Sequence, residues 1–226
     1  MTALPEQQGI LVDDHDDVTI RNCQVTNPLN GIAVVGLAER TQVVGNSAFA
    51  NANAGIAADD AVDTQILGNT TTRNAGNGIQ VIDATGALVA DNTSSENDGM
   101  GIGTAHASGS VFRNNALAHN AWYGLALGSN SHDDVVRDNL AVGNSDIGFS
   151  VWRSPDNRLI GNIARENAHG FGISLSGGNR LVGNVTRASE EAGFFLYRSS
   201  GTSLRLGTQP SGTATRGSAC GSPTGT

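Results

Sequence analysis

The sequence predicts an all-β solenoid of parallel strands: about nine coils, three short strands in each. Two landmarks and one alternation carry that prediction. The first landmark is Asn-x4-Asn, in RNCQVTN, GNSAFAN, GNTTTRN, DNTSSEN, NNALAHN, DNLAVGN and GNIAREN. Its first asparagines are Asn22, Asn46, Asn69, Asn92, Asn115, Asn139 and Asn162, continued by Asn184, at spacings of 22 to 24 residues. The second is a glycine followed by an apolar residue: Gly9-Ile10, Gly31-Ile32, Gly55-Ile56, Gly78-Ile79, Gly101-Ile102, Gly124-Leu125, Gly148-Phe149, Gly172-Ile173 and Gly193-Phe194. Two landmarks keeping one period over most of a chain mark a repeat architecture. After each glycine, apolar and small or polar residues alternate, as in Ile79-Gln80-Val81, which is the period of a strand with one buried face.

Each element follows from the repeat. The Gly-apolar run is one strand; VVGN at 43–46, ILGN at 66–69, LIGN at 159–162 and LVGN at 181–184 supply a second. A leucine-rich repeat is excluded, because the leucine consensus and the helical filling are missing. Stacked parallel strands sit about 4.8 Å apart, so nine coils make a rod of roughly 40 Å. In such a stack every phase becomes a column of like residues. The asparagines then hydrogen-bond from coil to coil, and asparagine and glycine suit left-handed corners. The residues that follow the asparagines, from Cys23 to Val185, read as a small inward column. The predicted domain is 1–208, with QPSGTATRGSACGSPTGT at 209–226 as a Gly/Ser/Thr-rich tail.

The unit N-x4-N-x3-G-φ-x-φ resembles the repeat of right-handed single-stranded parallel β-helix proteins, over about residues 9–208. Within that pectate-lyase-like superfamily it is similar to NosD-like periplasmic proteins and to carbohydrate-active β-helices. The resemblance implies a bacterial, carbohydrate-directed protein, but the superfamily holds lyases, hydrolases, epimerases, tailspikes and non-enzymes. No polygalacturonase, pectate lyase or epimerase motif matches residue by residue.

Composition narrows the partners. Hydrophobic residues make up 38% of the 226 and aromatics only 4%, which suits a thin solenoid core. The net charge is −8 and all thirteen basic residues are scattered arginines. That argues against nucleic acid or an anionic membrane as partner. MTALPEQQ has neither a basic start nor an apolar stretch, so it reads as no signal peptide: a cytoplasmic chain, or a mature or truncated secreted one. Cys23 and Cys220 are too far apart along the rod for a disulfide, and a free Cys23 is expected. Gly9-Ile10-Leu11-Val12 opens in mid-pattern without a polar cap. The expectation is cover from further sequence or from another subunit.

The candidate site comes from phase. Counting from each landmark glycine, the residues one and three on face inward, those two and four on face solvent, and the fifth lies at the turn. The fifth column places Asp60, Asp83 and His106 on adjacent coils, with Arg153 two coils further and Arg198 at the end. The fourth column carries Asp59, Trp152 and Tyr197. Stacked carboxylates repel when both ionise, which separates acid from base roles. Asp60, Asp83 and His106 are the catalytic candidates, His106 as a general base near neutral pH. Arg153 and Arg198 would hold an anionic group, and Trp152 and Tyr197 a sugar face, with Asp59 as a further substrate contact. Calcium on Asp59, Asp60 and Asp83 is the alternative, since calcium takes hard oxygen ligands. No other metal site is predicted: the five histidines fall in different phases, and copper is not expected. Against all of this stands the ordinary use of Asp, Ser and Gly in turns. The functions in competition are a polysaccharide lyase, epimerase or hydrolase, a non-catalytic carbohydrate-binding or structural β-helix, and a cytoplasmic small-molecule cyclase or isomerase.

Overall fold

A computed structural model of the chain describes residues 8–206. Over that length the period becomes short strands in three parallel sheets of nine, nine and eight members. No α-helix occurs among the described residues. Coils are numbered by their first-sheet strand: Gln8–Asp13, Asn30–Val35, Ile56–Asp59, Ile79–Ile82, Ile102–Ala105, Leu125–Gly128, Ile147–Trp152, His169–Ser174 and Phe194–Tyr197. The domain's tail beyond Leu206, Cys220 and the expected cover over the first coil lie outside the described residues. Cys23 is a free cysteine.

The core is two inward columns on the first sheet and one on each of the other two. Ile32, Ile56, Ile79, Ile102, Leu125 and Phe149 pair in register, and each is at most 1% exposed. Opposite sheets compensate in volume. Phe112 on the second sheet is buried in the coil of Thr104, and Phe149 on the first sheet lies in the coil of Ala164 on the third. A thin core stays filled that way.

Two details of register correct the sequence reading. Phe149 pairs with Phe171, and Phe171 with Phe194. The eighth landmark is therefore Gly170-Phe171, and Ile173 sits in the third position rather than the first. A shift of two residues keeps every side chain on its face, so alternation alone cannot tell the two apart. Packing decides: the three phenyl rings stack at 5.0 and 4.9 Å between centroids. In the first coil the shift is by one. Cys23, not Asn22, occupies the rung: its N–H donates to Asn46 Oδ1 at 2.9 Å. Asn22 and Asn27 instead stand at left-handed corners, with φ of 56° and 78°. The residues after the asparagines also face outward, Thr70, Thr93 and Ile163 among them; the inward column is one further on, at Ala48, Thr71, Ser94 and Leu117.

The two asparagine columns are buried ladders. Asn92 Oδ1 accepts from the Asn69 backbone at 2.8 Å and from Asn69 Nδ2 at 3.0 Å. Its own Nδ2 donates to the Ile66 carbonyl at 2.9 Å and to Asn115 Oδ1 at 3.0 Å. The second column, Asn51 to Asn167, repeats this. It also explains the landmark glycines. A Cβ at Gly101 would lie 2.7 Å from the Gly124 carbonyl oxygen and 2.9 Å from Asn120 Nδ2. Glycine is required there for close approach, not for its torsional freedom.

Candidate functional site

The first sheet's outer face is a trough along the rod. Its floor is the column two residues after each landmark glycine: Gln80, Gly103, Ala126, Ser150 and Gly172 in coils four to eight. These were expected to face solvent, yet Ala126 is 6% and Ser150 7% exposed. Small side chains set them below two rims.

The first rim is the predicted corner column. All nine of its members have φ between 48° and 66°, from Asp14 to Arg198. With the corrected register, coil eight contributes Ser174 and Leu175 rather than Ser176 and Gly177. Asp, Gly and His tolerate this left-handed region better than most residues, so the backbone alone accounts for much of the column's composition. Chemistry is superimposed on it. Asp60, Asp83 and His106 are exposed neighbours on coils three, four and five, and Asp83 Oδ1 lies 3.0 Å from His106 Nδ1. Asp59, half-buried beside them, has its carboxyl pushed up, first by burial and then by the charges of Asp60 and Asp83. Further on, the Arg153 guanidinium lies 4.5 Å above the Trp152 ring, and Arg198 5.3 Å above Tyr197. Those two pairs stand two and four coils from His106, about 10 and 19 Å along the axis. They do not converge with Asp83 and His106 on one reacting atom. Among the described residues no group of three or more His, Cys, Asp or Glu side chains is arranged to hold a metal ion. Calcium on Asp59, Asp60 and Asp83 finds no support in that arrangement.

The second rim escaped the sequence reading. It is the column just before each landmark glycine: Asn77, Met100, Tyr123, Ile147 and His169. A Cβ on floor residue Gly103 would meet Asn77 Nδ2 at 2.9 Å and Met100 Sδ at 3.1 Å, and one on Gly172 would meet Ile147 Cδ1 at 2.8 Å. These side chains thus lean over the floor. Burial, then Asp146, pushes the Tyr123 hydroxyl up from its ordinary range. His169 Nδ1 accepts the Ala192 N–H at 3.3 Å, and its Nε2 lies 3.3 Å from Glu191 Oε2. The phase signal was present in the sequence. Choosing Gly172 in place of Gly170 moved His169 out of the column that holds Tyr123.

A stacked parallel coil with one open trough defines a β-helix with a surface cleft. The family model described as "Right handed beta helix region" matches residues 5–124 and 54–208. The chain belongs to that family. No curated protein matches it. Among solved structures, the Azotobacter vinelandii mannuronan C-5 epimerase AlgE4 A-module is similar at 17% identity and a TM-score of 0.72, over 89% of this chain and 65% of that one. This chain therefore spans just under two thirds of that module. Pectate lyase Pel9A follows at 14% identity, TM-score 0.62, over 75% and 50% of the two chains. The enzymatically active domain of bacteriophage CBA120 tailspike protein 2 matches at 10%, TM-score 0.65, over 86% and 39%. At these identities the likeness establishes the fold.

Proposed function

We propose that the trough binds a polysaccharide lying along the rod axis and that Asp83 and His106 carry out proton transfer on it, as in a lyase or epimerase. The observation that carries this reading is the 3.0 Å contact between Asp83 Oδ1 and His106 Nδ1 on the open rim. A carboxylate oxygen accepting from Nδ1–H fixes the tautomer and leaves the Nε2 lone pair free to take a proton from a sugar carbon. Asp60 adds a second carboxylate one coil from Asp83, while Asp59, two coils from His106, contacts the polymer rather than the reacting carbon. Arg153 and Arg198, backed by Trp152 and Tyr197, sit too far along the axis to act on the reacting carbon. They serve as anchors for anionic groups on sugars further along an acidic polymer, and the epimerase and lyase neighbours are consistent with such a ligand. A hydrolase would use Asp60 and Asp83, on adjacent coils, as its carboxylate pair.

The test is an assay on acidic and neutral polysaccharides that follows unsaturated ends, solvent deuterium uptake without cleavage, and reducing ends. We expect the first or second signal on an acidic polymer, and a loss of about 100-fold or more in His106→Ala. Wild-type activity in His106→Ala and Asp83→Asn would move the site elsewhere in the trough. One observation favours a second reading, a non-catalytic carbohydrate binder: the whole corner column is left-handed, which selects such residues without any chemistry. Binding without turnover, weakened by Trp152→Ala, would establish that reading.

A further inference from the structure

A third column of buried rungs precedes each strand of the second sheet and reads Ser110, Asp134, Asn157 and Asn179 on successive coils. Its geometry is that of the asparagine ladders. Asn157 Oδ1 accepts the Asp134 N–H at 2.9 Å, and Asn179 Oδ1 the Asn157 N–H at 2.9 Å. Asn157 Nδ2 donates to the carbonyls of Ser131 and Ser154 at 3.0 Å, and Asn179 Nδ2 to those of Ser154 and Ser176 at 3.1 and 3.2 Å. Asp134 completes half of the pattern: its Oδ1 accepts the Ser110 N–H at 2.8 Å. Its Oδ2 stands where the neighbours carry an amide NH2, in phase with the carbonyls of Ala107 and Ser131. That oxygen is buried and has no partner. An acceptor turned toward acceptors is repelled, and a buried charge without a partner is more costly still. A proton on Oδ2 converts the rung into a donor.

We infer that Asp134 is carried in the folded chain as a neutral carboxylic acid standing in for an asparagine, and that this rung is a pH-sensitive joint between coils five and seven. Among the described residues it is the only ionisable side chain in the buried set, at 0% exposure. A protonated carboxyl has the shape and hydrogen-bonding pattern of a carboxamide in one orientation. The charges around it are few. Asp133 and His132 share its turn, paired with each other at 2.9 Å. Asp156 and Arg158 flank the rung below, and the segment above, Ser108 to Val111, carries none. Burial pushes the Asp134 carboxyl up to about 7; the Ser110 N–H and His132 oppose the rise, and Asp133 adds to it.

The joint lies against the candidate site. Ser131, three residues before Asp134, hydrogen-bonds Thr104 Oγ1 at 2.8 Å and accepts the Ala107 N–H at 3.2 Å. His106 sits between those two residues, and its own N–H reaches the Ser129 carbonyl at 3.1 Å. Ionising Asp134 loosens the turn on which the His106 corner rests.

The direction of the pH effect follows from linkage. Unfolded, this aspartate ionises near its ordinary value of 3.8; folded, near 7. Between the two the folded state holds an extra proton. The rung's stabilisation is therefore complete below the lower value, falls as pH rises toward the upper one, and is absent above it. Melting temperatures from about pH 4 to 9 for wild type, Asp134→Asn and Asp133→Asn test this. Asp134→Asn should gain on wild type as pH rises toward 7 and keep a constant lead beyond it, while Asp133→Asn should keep the wild-type pH dependence with its transition moved lower. Wild type should also show the infrared carbonyl band of a protonated carboxyl that titrates near pH 7 and is missing from Asp134→Asn. That band carries the test should the variant fail to fold. A pH-independent gap between the two proteins, or the absence of the band at mildly acidic pH, overturns the inference.

Discussion

The asparagine ladders and the corner column are both lines of small polar residues at one period, yet they live under opposite constraints. The Asn92 side chain makes four hydrogen bonds inside the rod, and the residue is 1% exposed. Asp83 in the same coil makes one side-chain contact and is half exposed. The ladder's identity is dictated by buried backbone groups that have no other partner. The corner's identity is dictated only by a left-handed φ, which several residue types satisfy. A buried polar column therefore reads as structure, whereas an exposed one has latitude to acquire chemistry.

That contrast can be broken most sharply from the inside. Asn92→Ala strands the Asn69 N–H and Nδ2 and the carbonyl of Ile66 in the interior. A loss of about 3–5 kcal/mol is expected in denaturant unfolding, from several unsatisfied groups at roughly 1–3 kcal/mol each with partial relaxation. A loss below about 1 kcal/mol would mean that water replaces the rung. Ile102→Ala, in the apolar column beside it, should cost about 2–5 kcal/mol, because a core one side chain deep cannot collapse without shifting its neighbours.

On the corner column the expected effects are smaller and differ in sign. Leu175 holds φ at 53° with no Asp, Asn or Gly to ease it. Leu175→Gly should raise stability by about 0.5–1 kcal/mol, visible as a higher melting temperature. Asp83→Asn should change stability by less than about 0.5 kcal/mol, while abolishing turnover if the proton-transfer reading holds. A large stability loss there would make the Asp83–His106 contact structural, and the comparison between the columns would fail.

Much of this molecule could be read from its sequence. Both landmarks, the faces of the first-sheet strands, the ladders from Asn46 onward and the adjacency of Asp60, Asp83 and His106 follow from the period, because in a solenoid equal phase means physical contact. Tertiary structure alone decided what the period leaves degenerate. A two-residue slip preserves every face, so only the stacking of Phe149, Phe171 and Phe194 assigned Gly170 as the landmark and brought His169 into line with Tyr123. Likewise, Asp134 looked like part of a solvated acidic turn, HDD. Its chemistry depends on burial, and burial belongs to the assembled coil, where the asparagine rungs on one side leave an oxygen with no donor to meet.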